Sequence, residues 1–309
     1  MNRKVADVAG KRLSLTNLEK NLYPSYGFTK AHVLDYYRRV SPFILPHLKD
    51  RPLTLVRFPE GVEKESFFEK RCPSHRPEWV TTAEVPTSGG KPMTACLVND
   101  LNTLMWVENL ASIELHVPLS RAASPYIADS MVFDLDPGEP AGVFDSARVA
   151  LFIRDLLSRF KLGCYVKTSG KKGLHVYVPL NHKKTTFLQT KLFSKSVAEV
   201  LQRNYPDMVT TNIAKQQREN KVFINWSQND PSKTMVCVYS LRAGKEPMVS
   251  FPVGWPELEE TVTLRNSGAL HVTEAEALQR LETEDDLFRE VLVKKQQLPY
   301  SEKAVPQKA

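Results

Sequence analysis

The order of elements in the second half of this chain predicts an α/β protein of the α+β kind, with a mixed or antiparallel sheet and flanking helices. A strand-like segment over 130–137 is followed by a helix, a hairpin, another helix and a second hairpin over 220–228 and 234–242. Two of the connections are too short for helical crossovers, so the strands that they join must run antiparallel. The 309 residues suffice for one large domain or two modest ones with a full hydrophobic core.

Each element of this second half follows from a local pattern. The segment "SMVFDLDP" alternates with the period of a strand. The helix predicted over 145–160 has an apolar stripe typical of packing against a sheet. The segments "GCYVKTSG" and "GLHVYVPL" form a hairpin around a basic glycine turn. The remaining predictions are a helix over 187–206, strands over 220–228 and 234–242, and a final helix that begins at Thr273.

The first part of the chain mixes short segments with many prolines and predicts a smaller lobe over 1–125. It contains a helix over 29–40, a strand over 51–59 and a segment over 103–120 that begins as a helix and ends as a strand. The larger lobe spans 126–296, and a flexible tail spans 297–309.

Composition narrows the functional class only slightly. The formal net charge is +7, which favours a polyanionic partner. The four cysteines form no CxxC pair, so we expect reduced thiols in a cytoplasmic protein and neither a zinc site nor a disulfide framework. Neither an N-terminal apolar signal core nor a membrane-length apolar segment is present in the sequence.

Two carboxylates on one face of a predicted strand are the most informative local feature. Asp134 and Asp136 alternate with Met131, Phe133 and Leu135, so the two acidic side chains are neighbours on the opposite face. Like charges so close repel each other, and a divalent cation with oxygen ligands offsets that repulsion. A solvated pair on an exposed strand face explains the pattern equally well at this point.

Three further segments carry polar residues in suggestive places. The turn "TSGKKGLH" gathers Ser169, Lys171, Lys172 and His175 around two glycines, which suits a phosphate although it is no P-loop. Asn225 is the polar residue of an apolar strand, and Arg242 ends another strand, where it could bind a phosphate. Each segment alone is also compatible with an ordinary turn, a satisfied buried amide or a surface arginine.

The segments "VFDLDPGE", "TSGKKGLHVYVPL", "KVFINWSQNDPSKT" and "YSLR", in this order and spacing, resemble the polymerase domain of bacterial and archaeal ligase D. That domain belongs to the archaeo-eukaryotic primase superfamily and acts in non-homologous end joining. The front segments "LTNLEKNLYPSYGFTK", "RPLTLVRFPEG", "SFFEK" and "LHVP" extend the resemblance over nearly the whole chain.

The resemblance implies a template-directed nucleotidyltransferase that uses two divalent ions, Mn²⁺ or Mg²⁺, with an NTP or dNTP as substrate. Asp134 and Asp136 match two of the three metal-binding aspartates of the family, and Phe68 matches the aromatic residue that stacks on the incoming base. The other residues implied in nucleotide binding are His116, Ser169, Lys172, His175, Arg218, Gln228 and Arg242.

The same resemblance implies binding to double-stranded DNA ends and gaps. Lys20 and Lys30, joined by Asn17, match residues that recognise a 5′-phosphate, and the loop "TSGGKP" matches one that helps two copies bring two DNA ends together. The implied partners are Ku and a DNA ligase, and the implied location is the bacterial or archaeal cytoplasm, on the nucleoid. With no ligase-like segment visible, the chain is expected to be either standalone or excised from a larger ligase.

Asn225 departs from the family pattern, because it stands where the third aspartate is expected. An amide is neutral and a poorer ligand for a divalent ion. Two explanations remain open: an engineered inactive form, or a natural variant of low activity that uses another carboxylate such as Asp230. Two other functions therefore compete with the polymerase: a DNA end-bridging module without synthesis, and a DxD-dependent glycosyltransferase.

Overall fold

A computed structural model describes residues 3–87 and 90–299, and its largest element is a six-stranded sheet. The helices are α1 (Lys30–Leu48), α2 (Leu101–Glu108), α3 (Val143–Ser158), α4 (Phe187–Asn204), α5 (Trp255–Leu264), α6 (Glu274–Thr283) and α7 (Glu290–Val293). The strands are β1 (Arg3–Val8), β2 (Lys11–Thr16), β3 (Asn21–Tyr23), β4 (Phe28–Thr29), β5 (Thr54–Arg57), β6 (Phe67–Glu69), β7 (Thr82–Val85), β8 (Met93–Cys96), β9 (Ser112–Val117), β10 (Ser130–Pro137), β11 (Tyr165–Thr168), β12 (Leu174–Pro179), β13 (Val209–Thr210), β14 (Val222–Asn225), β15 (Met235–Val236), β16 (Leu241–Arg242), β17 (Met248–Val249) and β18 (Pro252–Val253).

The six-stranded sheet has the order β13-β14-β10-β12-β11-β18. Its pairs are antiparallel except β13 with β14, so the predicted mixed sheet with flanking helices is confirmed. A second sheet has the order β15-β9-β5-β6. The remaining strands form the two-stranded pairs β1-β2, β3-β4, β7-β8 and β16-β17.

The alternation of β10 is the one that the sequence predicts. Met131, Phe133 and Leu135 are fully buried in one hydrophobic cluster with the apolar stripe of α3 and with α4. Val132 packs on the other side of the sheet, in a larger cluster with α1, α2 and β9. Since this larger cluster also contains Tyr239 and Phe251, both parts of the chain contribute to it. The proposed boundary near residue 125 stays a prediction.

Two local expectations are wrong for physical reasons. The single strand expected over 234–242 is divided into β15 and β16, because Tyr239 has a φ of 66° and the N–H of Ser240 bonds the carbonyl of Cys237 at 3.2 Å. The hairpin expected between 220–228 and 234–242 does not form, because β14 pairs with β10 in the large sheet whereas β15 pairs with β9 in the second sheet. The helix expected over 29–40 is present and continues to Leu48, and it contains Pro42 and Pro46.

The expectation of four reduced thiols is also wrong. Cys72 and Cys96 form a disulfide, whereas Cys164 and Cys237 are free and buried. The N–H of Cys72 bonds the carbonyl of Thr94 at 2.8 Å and thus aligns the two chain segments. Their Cα atoms lie 4.9 Å apart, a pairing that 24 residues of sequence separation could not reveal.

The predicted tail and the predicted DNA-bridging loop are only partly covered by the described residues. Leu298 is buried against the cluster that holds α3, while residues 300–309 of the predicted tail lie outside the described residues. In the loop "TSGGKP", the Thr87 hydroxyl donates to the carbonyl of Lys91 at 2.8 Å, and residues 88 and 89 lie outside the described residues. None of the helices in the described ranges is long and apolar enough to cross a membrane.

Candidate active site

Asp134 lies at the centre of the six-stranded sheet, between partners on both neighbouring strands. It is paired in register with Asn225 of β14 and with His175 of β12. Paired residues share one face of a sheet, so their side chains converge. The amides of Asn225 and Gln228 donate to Oδ2 at 3.2 and 3.3 Å, and Nε2 of His175 lies 3.3 Å from Oδ1. Burial acts to raise the pKa of Asp134, but the bond and charge of His175, together with the amides of Gln228 and Asn225, lower it.

Asp136 faces the same side two residues further and is exposed to a cavity. Loss of surrounding water, followed by the charge of Asp134, raises the pKa of Asp136 to about 7, although Arg218 acts in the opposite direction. A carboxylate pair whose second charge is so poorly compensated suits a divalent cation.

The acidic pair does not by itself complete a metal site. Within residues 3–87 and 90–299, no group of three or more His, Cys, Asp or Glu side chains could hold an ion. Oδ1 of Asn225 accepts from the Ser227 hydroxyl at 2.8 Å. Asp230 is engaged elsewhere, with Lys191 at 3.0 Å and the Ser232 hydroxyl at 2.7 Å. Further oxygen ligands would have to come from substrate phosphates and water.

The turn of the hairpin between β11 and β12 supplies the basic wall of the same cavity, beside the strand that carries the carboxylates. The Ser169 hydroxyl accepts from the N–H groups of Lys171 and Gly173, both at 3.1 Å. Gly170 has a φ of 69°, and a Cβ there would lie 2.4 Å from Cγ of Arg242. Lys172 extends outward to an ion pair with Glu139. The two glycines therefore let the turn approach Arg242 and β10 closely.

A buried carboxylate that the sequence analysis missed, Glu114, organises this basic wall. It accepts from Arg242 at 2.7 Å, bonds His116 at 2.9 Å and lies 3.5 Å from Lys171. Burial acts to raise the pKa of Glu114, but the His116 bond and the Arg242 charge lower it to about 2. The sequence feature that could have identified Glu114 is its position as a single acidic residue in the largely apolar segment "SIELHV".

A cavity of about 600 Å³ joins the carboxylates to the basic wall. Nine of the residues singled out from the sequence line it: His116, Asp134, Asp136, Ser169, Lys171, Lys172, His175, Gln228 and Arg242. Phe68 lies at its edge, because its ring meets His116 edge-on at 6.1 Å and is 64% exposed. These residues come from five strands, the turn of one hairpin and one 3₁₀ turn, and only the fold brings them together.

Arg218 lies beside this cavity and does not line it. Its guanidinium stacks on Phe223 at 3.8 Å and donates to the carbonyl of Ile213. The side chain is held by these contacts within the segment that precedes β14. The charge of Arg218 still acts to lower the pKa of Asp136, although burial and the charge of Asp134 raise that pKa overall.

The three residues expected to bind a 5′-phosphate form a separate cluster before α1. The N–H of Lys30 bonds the carbonyl of Lys20 at 2.8 Å, and the N–H of Lys20 bonds the carbonyl of Asn17 at 3.0 Å. Nζ of Lys30 is held by the carbonyl of Thr16 at 2.7 Å, and burial followed by the charge of Lys20 lowers the pKa of Lys30 to about 8. Lys20 pairs with Glu60 at 2.7 Å.

Comparisons with known proteins identify similar sequences and a similar fold. A family model described as "LigD, primase-polymerase domain" matches residues 29–288. The chain is 39% identical over 258 residues to "Multifunctional non-homologous end joining protein LigD" of Mycobacterium bovis, covering 81% of this chain and 34% of that protein. It is 31% identical over 252 residues to the bifunctional end-joining protein LigD of Bacillus subtilis, covering 82% of this chain and 40% of that protein.

The fold has a solved relative in the polymerase domain of Mycobacterium tuberculosis ligase D in complex with DNA. The TM-score is 0.84 at 35% identity, and the match covers 92% of this chain and 99% of that one. The chain thus spans 34% and 40% of the two curated relatives. The glycosyltransferase alternative is wrong. The chain belongs to the LigD primase-polymerase domain family, whose members are divalent-metal-dependent nucleotidyltransferases of the archaeo-eukaryotic primase superfamily.

Proposed function

We propose that this chain extends a DNA 3′-hydroxyl by template-directed addition of nucleotides at ends that are being joined. One observation carries the proposal: a carboxylate pair and a basic wall line one cavity of about 600 Å³. Such a cavity offers negative charge for a metal ion and positive charge for a triphosphate side by side. A protein that only bridges ends needs the basic surface and has no use for the carboxylates.

The proposed division of labour combines the roles that the family resemblance implies with the residues that line the cavity. Asp134 and Asp136 would hold two divalent ions, manganese or magnesium, with Asn225 as a weak third ligand. When bound, these ions would supply the charge that activates the 3′-hydroxyl and stabilises the departing pyrophosphate. The basic wall would orient the triphosphate, and Phe68 would stack on the incoming base. The residues that would contact the phosphates are Ser169, Lys172 and His175. Further nucleotide contacts would come from Gln228, Arg242 and, from beside the cavity, Arg218, with His116 near the sugar.

Recognition of the DNA end belongs to the lysine cluster before α1. A 5′-phosphate there would replace Glu60 as the partner of Lys20 and would accept a hydrogen bond from the Lys30 ammonium. Asn17 would lie beside this phosphate. The proposal includes a preference for ribonucleotides, which rests on contact with the 2′-hydroxyl. It also includes Ku and a ligase as partners, synapsis of two copies across DNA ends, and action on the chromosome in the cytoplasm.

Asn225 makes a sharp test possible. Primer extension on a gapped, 5′-phosphorylated duplex with Mn²⁺ is compared for the chain, Asn225→Asp and Asn225→Ala. We expect all three to bind the duplex and Asn225→Asp to extend fastest, because a third carboxylate adds ligand charge. Asn225→Ala, which supplies no oxygen ligand, should be slowest.

The alternative of an end-binding module predicts a different pattern. Tight binding of the phosphorylated duplex without extension by either the chain or Asn225→Asp would contradict the polymerase proposal. Extension by Asn225→Asp alone would identify this chain as an inactive form of a polymerase.

A further inference from the structure

Lys167 is a fully buried lysine in β11 that the proposed chemistry does not use directly. Its side chain is 0% exposed. Nζ lies 2.9 Å from Nδ1 of His175 and 2.5 Å from the hydroxyl of Ser250. That hydroxyl donates in turn to the carbonyl of Thr168 at 2.7 Å. Because a buried ammonium is costly and both of these partners are neutral, ion pairing does not explain this lysine.

The register of the sheet aligns Lys167 with the catalytic carboxylate. Lys167 is paired with His175 across β11 and β12, and His175 is paired with Asp134 across β12 and β10. The three side chains form one row on one face of the sheet. His175 therefore has Lys167 at one ring nitrogen and Asp134 at the other, with Nε2 3.3 Å from Oδ1 of Asp134.

The chemistry of the two neighbours selects one form of the His175 ring. Burial lowers the pKa of Lys167 to about 7, so below that pH the side chain is mainly an ammonium. An ammonium only donates hydrogen bonds, so Nδ1 then accepts from Lys167. A carboxylate only accepts, so Nε2 must carry the hydrogen that points to Asp134. Both neighbours demand the same tautomer, and together they oppose a turn of the ring by 180°.

We propose that Lys167 is a positioning residue for nucleotidyl transfer, which holds His175 as an Nε2–H donor facing Asp134 and the nucleotide cavity. Ser250 orients Lys167 for this task. The consequence for catalysis rests on the proposed function: a donor at Nε2 aligns the carboxylate and suits a triphosphate oxygen. The ring orientation itself does not depend on that function.

Nitrogen-15 NMR of histidine-labelled protein in metal-free buffer tests the tautomer directly. The chain has seven histidines, and the signal lost in His175→Gln identifies His175. At pH 6, where Lys167 is mainly an ammonium, we expect Nδ1 of His175 to be unprotonated and Nε2 to be protonated in the unchanged protein. Lys167→Met removes the donor at similar length and should shift the ring toward a mixture with hydrogen on Nδ1. Ser250→Ala should cause a smaller shift in the same direction.

Cys237→Ala is the matched control for damage to packing. Cys237 is buried, and together with Lys167 it lines a small internal cavity of about 30 Å³ that is separate from the nucleotide cavity. It makes no hydrogen bond to His175. Its replacement should leave the His175 signals unchanged. An unchanged tautomer in Lys167→Met, or an equal shift in Cys237→Ala, would overturn the proposal whether or not the protein extends primers.

A double-mutant cycle then tests the link to catalysis. Glutamine at position 175 carries its hydrogens on an amide nitrogen near the place of Nε2, so it needs no lysine to fix a tautomer. We expect Lys167→Met to lower kcat by about tenfold to a hundredfold in the unchanged background, as is usual for groups that orient active-site ligands. In the His175→Gln background the loss should be clearly smaller. Equal losses in both backgrounds would overturn positioning through His175.

Discussion

The carboxylate site and the lysine cluster before α1 hold opposite charges in different kinds of structure. Asp134 is fixed by paired residues on both sides of a central strand. Lys20 and Lys30 are joined by one backbone hydrogen bond of 2.8 Å outside the large sheet. The first site is specified by register, and the second by a turn and the burial of one side chain.

Charge compensation separates the two regions as well. The lysines have partners within the chain, Glu60 for Lys20 and the Thr16 carbonyl for Lys30. Asp136 has no comparable partner among the described residues, and its pKa is raised to about 7. We infer that the carboxylate site depends on an added cation, whereas the lysine site exchanges one anion for another. Changes in the first should affect the rate of extension, and changes in the second the affinity for ends.

The largest expected effect comes from Asp134→Asn, which keeps the shape and removes the charge. Metal-ion stabilisation of a transition state is worth several kcal/mol, so extension should fall by about a thousandfold. Primer extension with Mn²⁺ measures the rate, and a duplex-binding assay should show nearly unchanged affinity. Asp230→Asn is the control, because Asp230 is engaged by Lys191 and Ser232. Similar losses of extension rate in both variants would mean that any acidic residue near the cavity has this effect, which would contradict a specific role for Asp134.

A smaller effect is expected from replacing Lys20 and Lys30 together by alanine. Hydrogen bonds to charged groups contribute about 1.5–3 kcal/mol each, so affinity for 5′-phosphorylated gaps should fall by about a hundredfold. Affinity for 5′-hydroxyl gaps should fall much less. Titrations of both substrates at two salt concentrations measure the difference.

The control for this comparison removes two positive charges from a surface outside the lysine cluster. Lys183 and Lys184 are both exposed, and their double alanine variant should weaken both substrates slightly and equally. Equal losses on the two substrates with Lys20 and Lys30 replaced would reduce these lysines to a general electrostatic role.

The smallest effect concerns pH and sharpens the contrast in charge. The pKa of Asp136 is raised to about 7, so a proton competes with the cation below that pH and not above it. Metal affinity should therefore fall by about tenfold between pH 8 and pH 6. Calorimetric titration with Mn²⁺ measures this, and Asp136→Asn should bind weakly at both pH values. A flat profile in the unchanged protein would contradict an unpaired Asp136.

Much of the fold was predictable because strands and helices leave periodic patterns. The alternation of β10, the stripe of α3 and the capping box at Thr273, where the N–H bonds Glu276 at 2.8 Å, are confirmed. The strand expected over 234–242 was wrong, because the bend at Tyr239 depends on packing against distant residues. The hairpin, Asp134 and Asp136 were identified because glycines and out-of-phase charges are visible in one dimension.

The sequence alone determined the mixed sheet, the carboxylate pair, the basic turn and, through its motifs, the family. Only the tertiary structure decided that Cys72 meets Cys96, that Glu114 contacts Arg242 and His116, and that Lys167 lies at hydrogen-bond distance from His175. The physical reason is the range of the interactions. Periodicity and turn chemistry act between near neighbours, whereas a buried charge is explained only by partners that other strands bring to it.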